Sequence, residues 1–332
     1  MKNILSLLFI LSASLSFAQI SINSSDFANV GDTIYLATNN SVAANTSVGS
    51  TGATTWNFSN IGFGSFDTID YQNPVSTIYS TLFPNATEAF VNDQDFTYYK
   101  NSASSVAIDG ESGDLFGDGK IYAINYNPDL LILNFPSTYL DSFVVSTQID
   151  STLDTSIVIP PVFSFDSIRI KRVFSVFSKI DAHGTIQTPS GSFTTIRQYR
   201  NWNERDTIWT HTFGGAWALA PLNATTNTTK HLYSWYANNE KYPVFSGDAD
   251  TKNGNITFAQ YKLGTSMSAT LANKTDVSCF GACNGSSSVD VVGGALPYSY
   301  QWSANAGGQT NDTITNLCTG VYTVTVFDAL ND

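Results

Sequence analysis

The feature that most constrains this chain is a series of short runs of Thr, Val, Ile, Phe and Tyr, each ended by Gly, Asn, Asp or Pro. Between Ile20 and about Leu263, no stretch of twelve or more residues carries the 3.6-residue apolar period of a helix. Runs rich in β-branched and aromatic residues, bounded by turn-forming residues, are typical of β-strands. The sequence therefore predicts an all-β protein.

The spacing of these runs predicts twelve strands before Leu263. Thr188–Gly191 and Asn253-Gly254 place turn-forming residues between alternating runs, which indicates tight hairpins. This number of strands is too large for one small barrel. We therefore expect residues 19–263 to form a large β-sandwich region or, alternatively, two packed β subdomains. The predicted strands are Thr33–Thr38, Thr54–Phe58, Phe96–Lys100, Lys120–Asn125, Leu130–Asn134, Ser142–Ile149, Ser167–Phe177, Gly184–Gln187, Phe193–Tyr199, Thr207–Thr212, His231–Tyr236 and Asn255–Tyr261.

The first eighteen residues have the three parts of a secretory signal peptide. Lys2 supplies the positive charge, Ile4–Leu15 is apolar, and Ser16 and Ala18 are the small residues that a signal peptidase recognises. As a helix the apolar stretch rises about 18 Å, which is too short for a hydrocarbon core of about 30 Å. We therefore predict cleavage after Ala18 and a secreted or cell-surface protein without a membrane span.

The charge of the chain excludes two classes of partner. Fifteen basic and 27 acidic residues give a net charge of -12, and only 13% of residues are charged. This charge repels phosphate backbones and anionic lipid headgroups. We expect no nucleic-acid partner, no binding to membrane surfaces, and a surface covered mainly by uncharged polar residues.

Catalytic motifs are absent from the sequence. It holds three histidines and lacks the HExxH, GxSxG, P-loop and paired CxxC patterns. Glu204 and Asp206 fall on one face of a predicted strand beside Trp202, where two carboxylates could act as acid and base. The competing interpretation, which we favour, is a solvated strand end neutralised by Arg205. We therefore expect no catalytic site and no cofactor.

One acidic, glycine-rich segment is a weak calcium candidate. Asp109, Glu111, Asp114 and Asp118 carry four carboxylates within ten residues, and calcium prefers such oxygen ligands. An exposed pair of turns explains the same residues and is the interpretation that we favour. The segment Asp248–Gly254 imitates a calcium loop, but its order of residues predicts a hairpin.

Aromatic residues offer an alternative function, because exposed rings stack on the faces of sugars. Most of them should instead fill the core of so large a β-protein. A flat exposed row of two or more rings would favour a carbohydrate-binding module or an accessory domain of a secreted glycan-degrading enzyme. The candidate rings are Trp202, Trp209, Trp217, Tyr233, Trp235 and Tyr236.

The composition changes at Gly264–Asn273, which is small, polar and predicted to be a linker. The three cysteines, Cys279, Cys283 and Cys318, all follow it, so residues 274–332 form a separate unit with its own means of stabilisation. Three thiols allow three single disulfides, and their spacing leaves the choice open.

Alternating runs after the linker predict an Ig-like β-sandwich whose Tyr322 occupies a tyrosine corner. Five blocks occur there in a characteristic order: Cys279–Gly285, Gly293-Gly294, Pro297–Trp302, Leu317–Val326 and Asp328. In these blocks the segment resembles the SprB repeat, a module of large cell-surface and secreted proteins of the Bacteroidota that include adhesins of gliding motility. Residues 20–263 resemble, more loosely, β-rich regions of proteins that the same bacteria export by type IX secretion.

The resemblance implies a non-catalytic adhesion or spacer module, monomeric within a larger repeat protein, that contacts a surface polysaccharide or another cell-surface protein. It also implies a disulfide between Cys283 and Cys318. Members of the family end in a further cysteine shortly after the position of Asp328, so the resemblance implies that Cys279 pairs beyond Asp332 and that this chain is a fragment.

Short tripeptides of Asp, then Ser or Thr, then a small or aliphatic residue resemble the acceptor for O-glycosylation of exported Bacteroidota proteins. Modification there would add bulk and solubility to a surface that is poor in charge. Alternatively, the Asp ends a turn and the following residue begins a strand. The predicted acceptors are Thr33, Thr68, Ser151, Ser167, Thr207 and Thr313.

Overall fold

The structure is a computed structural model, and it describes residues 20–43, 46–62, 64–92, 95–114, 121–159, 163–212, 214–220, 224–264, 267–279, 281–294 and 297–328. The predicted signal peptide lies outside these residues, and so does Asp118. Strands dominate the described residues, as predicted, and within them no helix has the length and apolar character needed to cross a membrane. The short 3₁₀ helices are Ser24–Asp26, Pro74–Ser76, Ser80–Leu82 and Ala304–Ala306.

Fourteen strands before residue 263 belong to one sheet. They are β1 (Thr33–Asn39), β2 (Gly52–Asn57), β3 (Ser65–Gln72), β4 (Glu88–Asn92), β5 (Asp95–Asn101), β6 (Ser105–Gly113), β7 (Tyr122–Asn134), β8 (Ser142–Ile159), β9 (Phe163–Thr188), β10 (Gly191–His211), β11 (Ala218–Leu219), β12 (Thr225–Tyr236), β13 (Phe245–Ala249) and β14 (Ile256–Lys262).

Twelve of these strands close into a ring in the order β10-β12-β13-β14-β1-β3-β4-β5-β6-β7-β8-β9, because β9 pairs with β10 as well as with β8. The prediction of a large sandwich is therefore wrong: the N-terminal region is a closed twelve-stranded barrel. Closure pairs the edges that an open sandwich would expose. The two remaining strands lie beside the ring, β2 parallel to β9 and β11 antiparallel to β10.

The hairpin predictions are confirmed at both turns. β9 and β10 are joined at Thr188–Gly191, where Gly191 has a positive φ of 141°. β13 and β14 are joined by a turn in which Asn253 has a φ of 61°, within the segment that the sequence predicts as a hairpin instead of a calcium loop. The turn residues therefore set the local connections correctly.

Apolar side chains pack on both sides of the ring. Phe174, Val176 and Ile149 belong to a cluster with Tyr126 that fills one part of the interior. Trp235 and its cluster project from the other side of their strands, where β2 and the residues before it cover them. Both faces of the wall are thus buried in this part of the molecule.

The residues after 266 form two small sheets. One contains β15 (Met267–Thr275), β16 (Gly285–Gly293) and β18 (Thr313–Leu317), and the other contains β17 (Ser299–Trp302) and β19 (Val324–Phe327). Val289 of the first sheet and Trp302 of the second share one core. β15 begins at Met267, inside the predicted linker 264–273, so part of this segment is a strand that pairs with β16. Its small Ser, Thr and Ala residues fit an edge strand as well as a loop.

Candidate functional site

The carboxylates of Glu204 and Asp206 both form ion pairs with Arg172, a residue that the sequence interpretation did not name. Arg172 of β9 lies directly opposite Asp206, and its Nε is 2.6 Å from Asp206 Oδ1 and 3.0 Å from Glu204 Oε1. Trp202 Nε1 also donates a hydrogen bond to Glu204, at 3.2 Å. Arg205 is exposed and lies on the other face of the strand. Two carboxylates that share one arginine are arranged as an ion-pair network.

The acidic segment proposed for calcium lies mostly in strand β6. Asp109 is buried beside Lys100, whose Nζ is 2.9 Å from its carboxylate. Burial raises the pKa of Glu111, and Tyr126 donates a hydrogen bond to it. Among the described residues, no group of three or more metal-ligating side chains is arranged to hold a metal ion. Asp109 and Glu111 therefore serve separate contacts, and Asp114 lies at the end of the strand.

The aromatic candidates do not form an exposed row. Tyr233, Trp235 and Tyr236 are buried in the ring wall. Trp202 and Trp209 are half-buried. Trp217 is exposed at 42%, with its ring 5.2 Å from that of His211. One exposed indole beside an imidazole is a much smaller surface than the sugar-stacking platform requires.

The six predicted glycosylation acceptors all lie on strands. Thr33 and Thr313 begin β1 and β18, as the strand-junction interpretation predicts. Thr33, Thr68 and Thr313 are exposed, whereas the other three are half-buried. The aspartates of three motifs lie within ion-pair distance of Arg169, Arg172 and His211, and those of two others, Asp32 and Asp67, accept hydrogen bonds. Modification of these residues stays a prediction.

A cavity of about 160 Å³ lies inside the ring, and side chains from eight strands line it. Its aromatic wall includes Tyr71, Tyr99 and Tyr236, and its charged groups are Arg200 and Glu88. The N-terminal segment at Phe27 and Ala28 and the loop at Tyr242 and Pro243 complete the lining.

Asp26 fastens these two covering segments to each other. Its carboxylate accepts hydrogen bonds from the backbone N–H of Asn239 at 2.7 Å and from the side chain of Asn238 at 3.0 Å. Lys241 Nζ donates to the carbonyl of Ser25 at 2.8 Å. The cavity is therefore covered by a segment and a loop that are hydrogen-bonded together.

The electrostatics of the cavity are unusual for a core. Burial raises the pKa of Glu88 to about 7, and hydrogen bonds from Asn101 and Thr87 oppose that rise. Burial also raises the pKa values of Tyr71 and Tyr99, so their hydroxyls stay neutral and can donate hydrogen bonds. These groups give the cavity a polar, partly charged lining, which the sequence interpretation did not predict.

One feature of the sequence is consistent with this polar cavity. Arg200 has the same parity along β10 as Gln198 and Trp202, so a single strand face carries a charged, an amide and an aromatic side chain. Such a face is compatible with a polar interior. Glu88, by contrast, begins a strand that the sequence pattern did not predict.

The C-terminal unit is tied together at Cys318. This residue forms a disulfide with Cys283, with a Cα–Cα distance of 3.9 Å, which agrees with the pairing that the resemblance implies. The hydroxyl of Tyr322 donates a hydrogen bond of 3.0 Å to the Cys318 carbonyl, the contact expected of a tyrosine corner. Cys279 is exposed, and the described residues contain no disulfide to it.

Comparison with protein families identifies this unit. Residues 271–307 match the family model of the SprB repeat. The matched segment runs from within β15 to the residues after β17, so it covers the first part of the small two-sheet unit and ends before β18 and β19. SprB repeats are associated with cell-surface and secreted proteins. No curated protein and no solved structure matches it.

Proposed function

We propose that this is a non-catalytic protein of the cell surface or the cell exterior, in which the SprB repeat is an adhesion or spacer module of a larger chain. The observation that carries the proposal is the family match at residues 271–307. The disulfide between Cys283 and Cys318 supports it, because structural disulfides persist in oxidising, extracellular surroundings.

The alternative, a carbohydrate-binding module, has less support from the geometry. Stacking on a polysaccharide requires a flat row of exposed rings, and Trp217 is the exposed member of the six candidates. The non-catalytic part of the proposal is supported by Arg172, which pairs with both Glu204 and Asp206. A carboxylate paired in this way is less available as a proton donor or acceptor.

The location and the adhesive role are tested in the source bacterium. We expect an antibody against the mature chain to label intact cells, and deletion of the gene to reduce attachment of cells to polysaccharide-coated and cell-coated surfaces. A gene that carries both Cys283→Ser and Cys318→Ser should restore attachment only in part. Thr319→Ala, at an exposed residue next to Cys318, is the matched control.

Two outcomes of this experiment would contradict the proposal. Labelling that requires permeabilised cells would contradict a surface location. Normal attachment by the deletion strain would contradict an adhesive role and leave the spacer role alone.

The two competing functions are tested with the purified mature chain. A screen of polysaccharides for hydrolysis should give no product, and activity that disappears in Glu204→Gln or Asp206→Asn would overturn the non-catalytic assignment. Binding to a glycan array that disappears in Trp217→Ala would favour the carbohydrate-binding alternative.

A further inference from the structure

The cavity inside the ring has a guanidinium on one wall and a carboxyl group on the opposite wall. Arg200 projects from β10 and Glu88 from β4, and five strands separate β10 from β4 in each direction around the ring. Both side chains line the same space of about 160 Å³. The two groups do not form an ion pair with each other. The interior is thus polarised from wall to wall.

Arg200 is half-buried, and its guanidinium group lacks a direct partner in the part of the chain that the structure describes. No ion pair among the described residues involves it, and its buried Nε has no hydrogen-bond acceptor. Asp248 is near enough for Arg200 to lower its pKa against the larger effect of burial, but the two do not pair. A charged group that is partly removed from water normally has a partner, because its desolvation costs free energy. A bound anion would provide one.

At the opposite end of the cavity, Glu88 has neutral hydrogen-bond donors but no cationic partner among the described residues. Asn101 donates a hydrogen bond toward Glu88, which leaves its own buried Oδ1 without a donor among the described residues. The carboxyl group of Glu88 is itself 7% exposed and has no cationic neighbour among the causes that shift its pKa. This end therefore suits an ammonium group, which is a donor without acceptor capacity.

Apolar and aromatic side chains make up much of the remaining lining of the cavity. Val106, Ile108 and Ile132 line it together with Phe27, and tyrosine rings complete the wall. A dry cavity of about 150 Å³ holds a molecule the size of benzene. The volume here therefore suits a ligand of about six to eight heavy atoms.

We propose that the ring binds a small zwitterion with a short apolar body, of the α-amino acid class, whose carboxylate lies on Arg200 and whose ammonium group lies on Glu88 and Asn101. Each charged end of such a ligand meets the one group that lacks its counterpart. The bond to Arg200 and the bonds to Glu88 and Asn101 are non-covalent.

The test compares three probes of matched shape on the mature chain at about pH 8, where Glu88 is ionised. L-valine carries both charges, 3-methylbutanoate keeps the carboxylate alone, and isobutylamine keeps the amine alone. Calorimetry and thermal unfolding with about 10 mM of each probe should show binding of valine, because a ligand that binds the folded state raises the unfolding temperature. The other two probes should bind about tenfold more weakly or not at all.

Two substitutions test which protein group binds each charged end of the ligand. Arg200→Gln should weaken valine binding by about 10- to 100-fold, since hydrogen bonds to charged groups have that magnitude. Glu88→Gln should abolish the preference for valine over 3-methylbutanoate. Arg205→Gln, an exposed position on the same strand, is the matched control and should bind valine like the wild type.

The unliganded proteins give a second measurement that does not depend on binding. If Arg200 is held for a ligand, Arg200→Gln should unfold at the same or a higher temperature than the wild type, because it removes a partly buried guanidinium that pairs with no carboxylate of the described residues. Absence of binding by all three probes would overturn the proposal in favour of a water-filled cavity. Equal binding of valine and 3-methylbutanoate would overturn the zwitterion assignment.

Discussion

Arg197 of β10 donates two hydrogen bonds to Asp181 of β9, from Nε at 2.8 Å and from Nη2 at 3.0 Å, and both side chains are buried. The carbonyl groups of residues 48–50 accept the remaining guanidinium hydrogens. The rings of Trp56 and Tyr233 lie within 5.5 Å of the guanidinium carbon. The segment before β2 is therefore fastened to the ring by a fully bonded buried charge.

This pair predicts a large loss of stability when one partner is removed. Asp181→Ala leaves the Arg197 guanidinium buried without its counter-ion, and breaking such a pair costs about 3–5 kcal/mol in the free energy of unfolding. Urea unfolding measures the loss. Asp150→Ala is the control, because the Asp150 pair with Arg169 has the same two-bond geometry on an exposed surface. Equal losses in the free energy of unfolding for Asp181→Ala and Asp150→Ala would show that burial of the ion pair does not determine the loss of stability.

Gly184 allows β2 to approach β9. It lies opposite Thr54 in the parallel pairing, has a φ of 150°, and a Cβ at this position would overlap the Thr54 carbonyl. Gly184→Ala should therefore displace β2 and destabilise the fold by about 1–3 kcal/mol. Trp56 of β2 packs against Trp235, so a change in the total tryptophan emission reports the displacement. Gly62→Ala is the control, since the nearest atom to a Cβ there is 4.0 Å away, and it should leave the emission and the stability unchanged.

Glu88 predicts a pH dependence of stability. In the unfolded chain its pKa is the ordinary 4.5, whereas burial raises the pKa to about 7 in the folded protein. The folded state therefore binds more protons than the unfolded state between these pH values, and the free energy of unfolding falls as pH rises from about 4.5 to about 7. Above that range Glu88 is ionised in both states, and its contribution stays constant.

Thermal unfolding of the wild type and Glu88→Gln isolates this contribution from those of the other acids. Gln has the shape of the protonated acid and does not ionise, so the unfolding temperature of the wild type should fall relative to the variant as pH rises through the window. If the unfolding temperatures of the two proteins changed in parallel with pH, Glu88 would have the same pKa in the folded and the unfolded state. The comparison uses the same buffers for both.

The sequence predicted local structure better than closure of the ring. The predicted runs Thr33–Thr38 and Asn255–Tyr261 are rich in β-branched and aromatic residues and lie on β1 and β14, and the turns before them carry Gly and Asn where positive φ is needed. β6 was missed because Asp109, Gly110 and Glu111 resemble a loop. Closure depends on β9 pairing along both of its edges, and the alternation of side chains is the same in a closed ring and in a sandwich.

The cavity shows a second limit of sequence interpretation. The alternation along β10 places Arg200 on a definite face, but the lack of a partner for it depends on strands far away in the chain. Glu204 and Asp206 illustrate the reverse case. Their spacing was visible in the sequence, yet the arginine that neutralises them comes from β9, where the register of two long strands brings Arg172 opposite Asp206.

The disulfide between Cys283 and Cys318 predicts that the two parts of the chain respond differently to reduction. The bridge spans 35 residues, and on the chain-entropy model closure of such a loop stabilises the folded state by roughly 3 to 4 kcal/mol. That is a large share of the stability of so small a unit. The ring before residue 264 contains no cysteine, so its stability should not change.

Hydrogen exchange followed by mass spectrometry distinguishes the two parts. Reducing agent, or the double substitution Cys283→Ser and Cys318→Ser, should speed exchange in β16 and β18, which the bridge holds near one another, and leave β9 and β10 protected. Cys279→Ser should behave like the wild type, because its exposed thiol is outside the bridge. Faster exchange throughout the ring would show instead that the two parts unfold as one unit. Unchanged exchange in β16 and β18 would show that the shared core around Trp302 and Ile314 holds the two sheets together without the bridge.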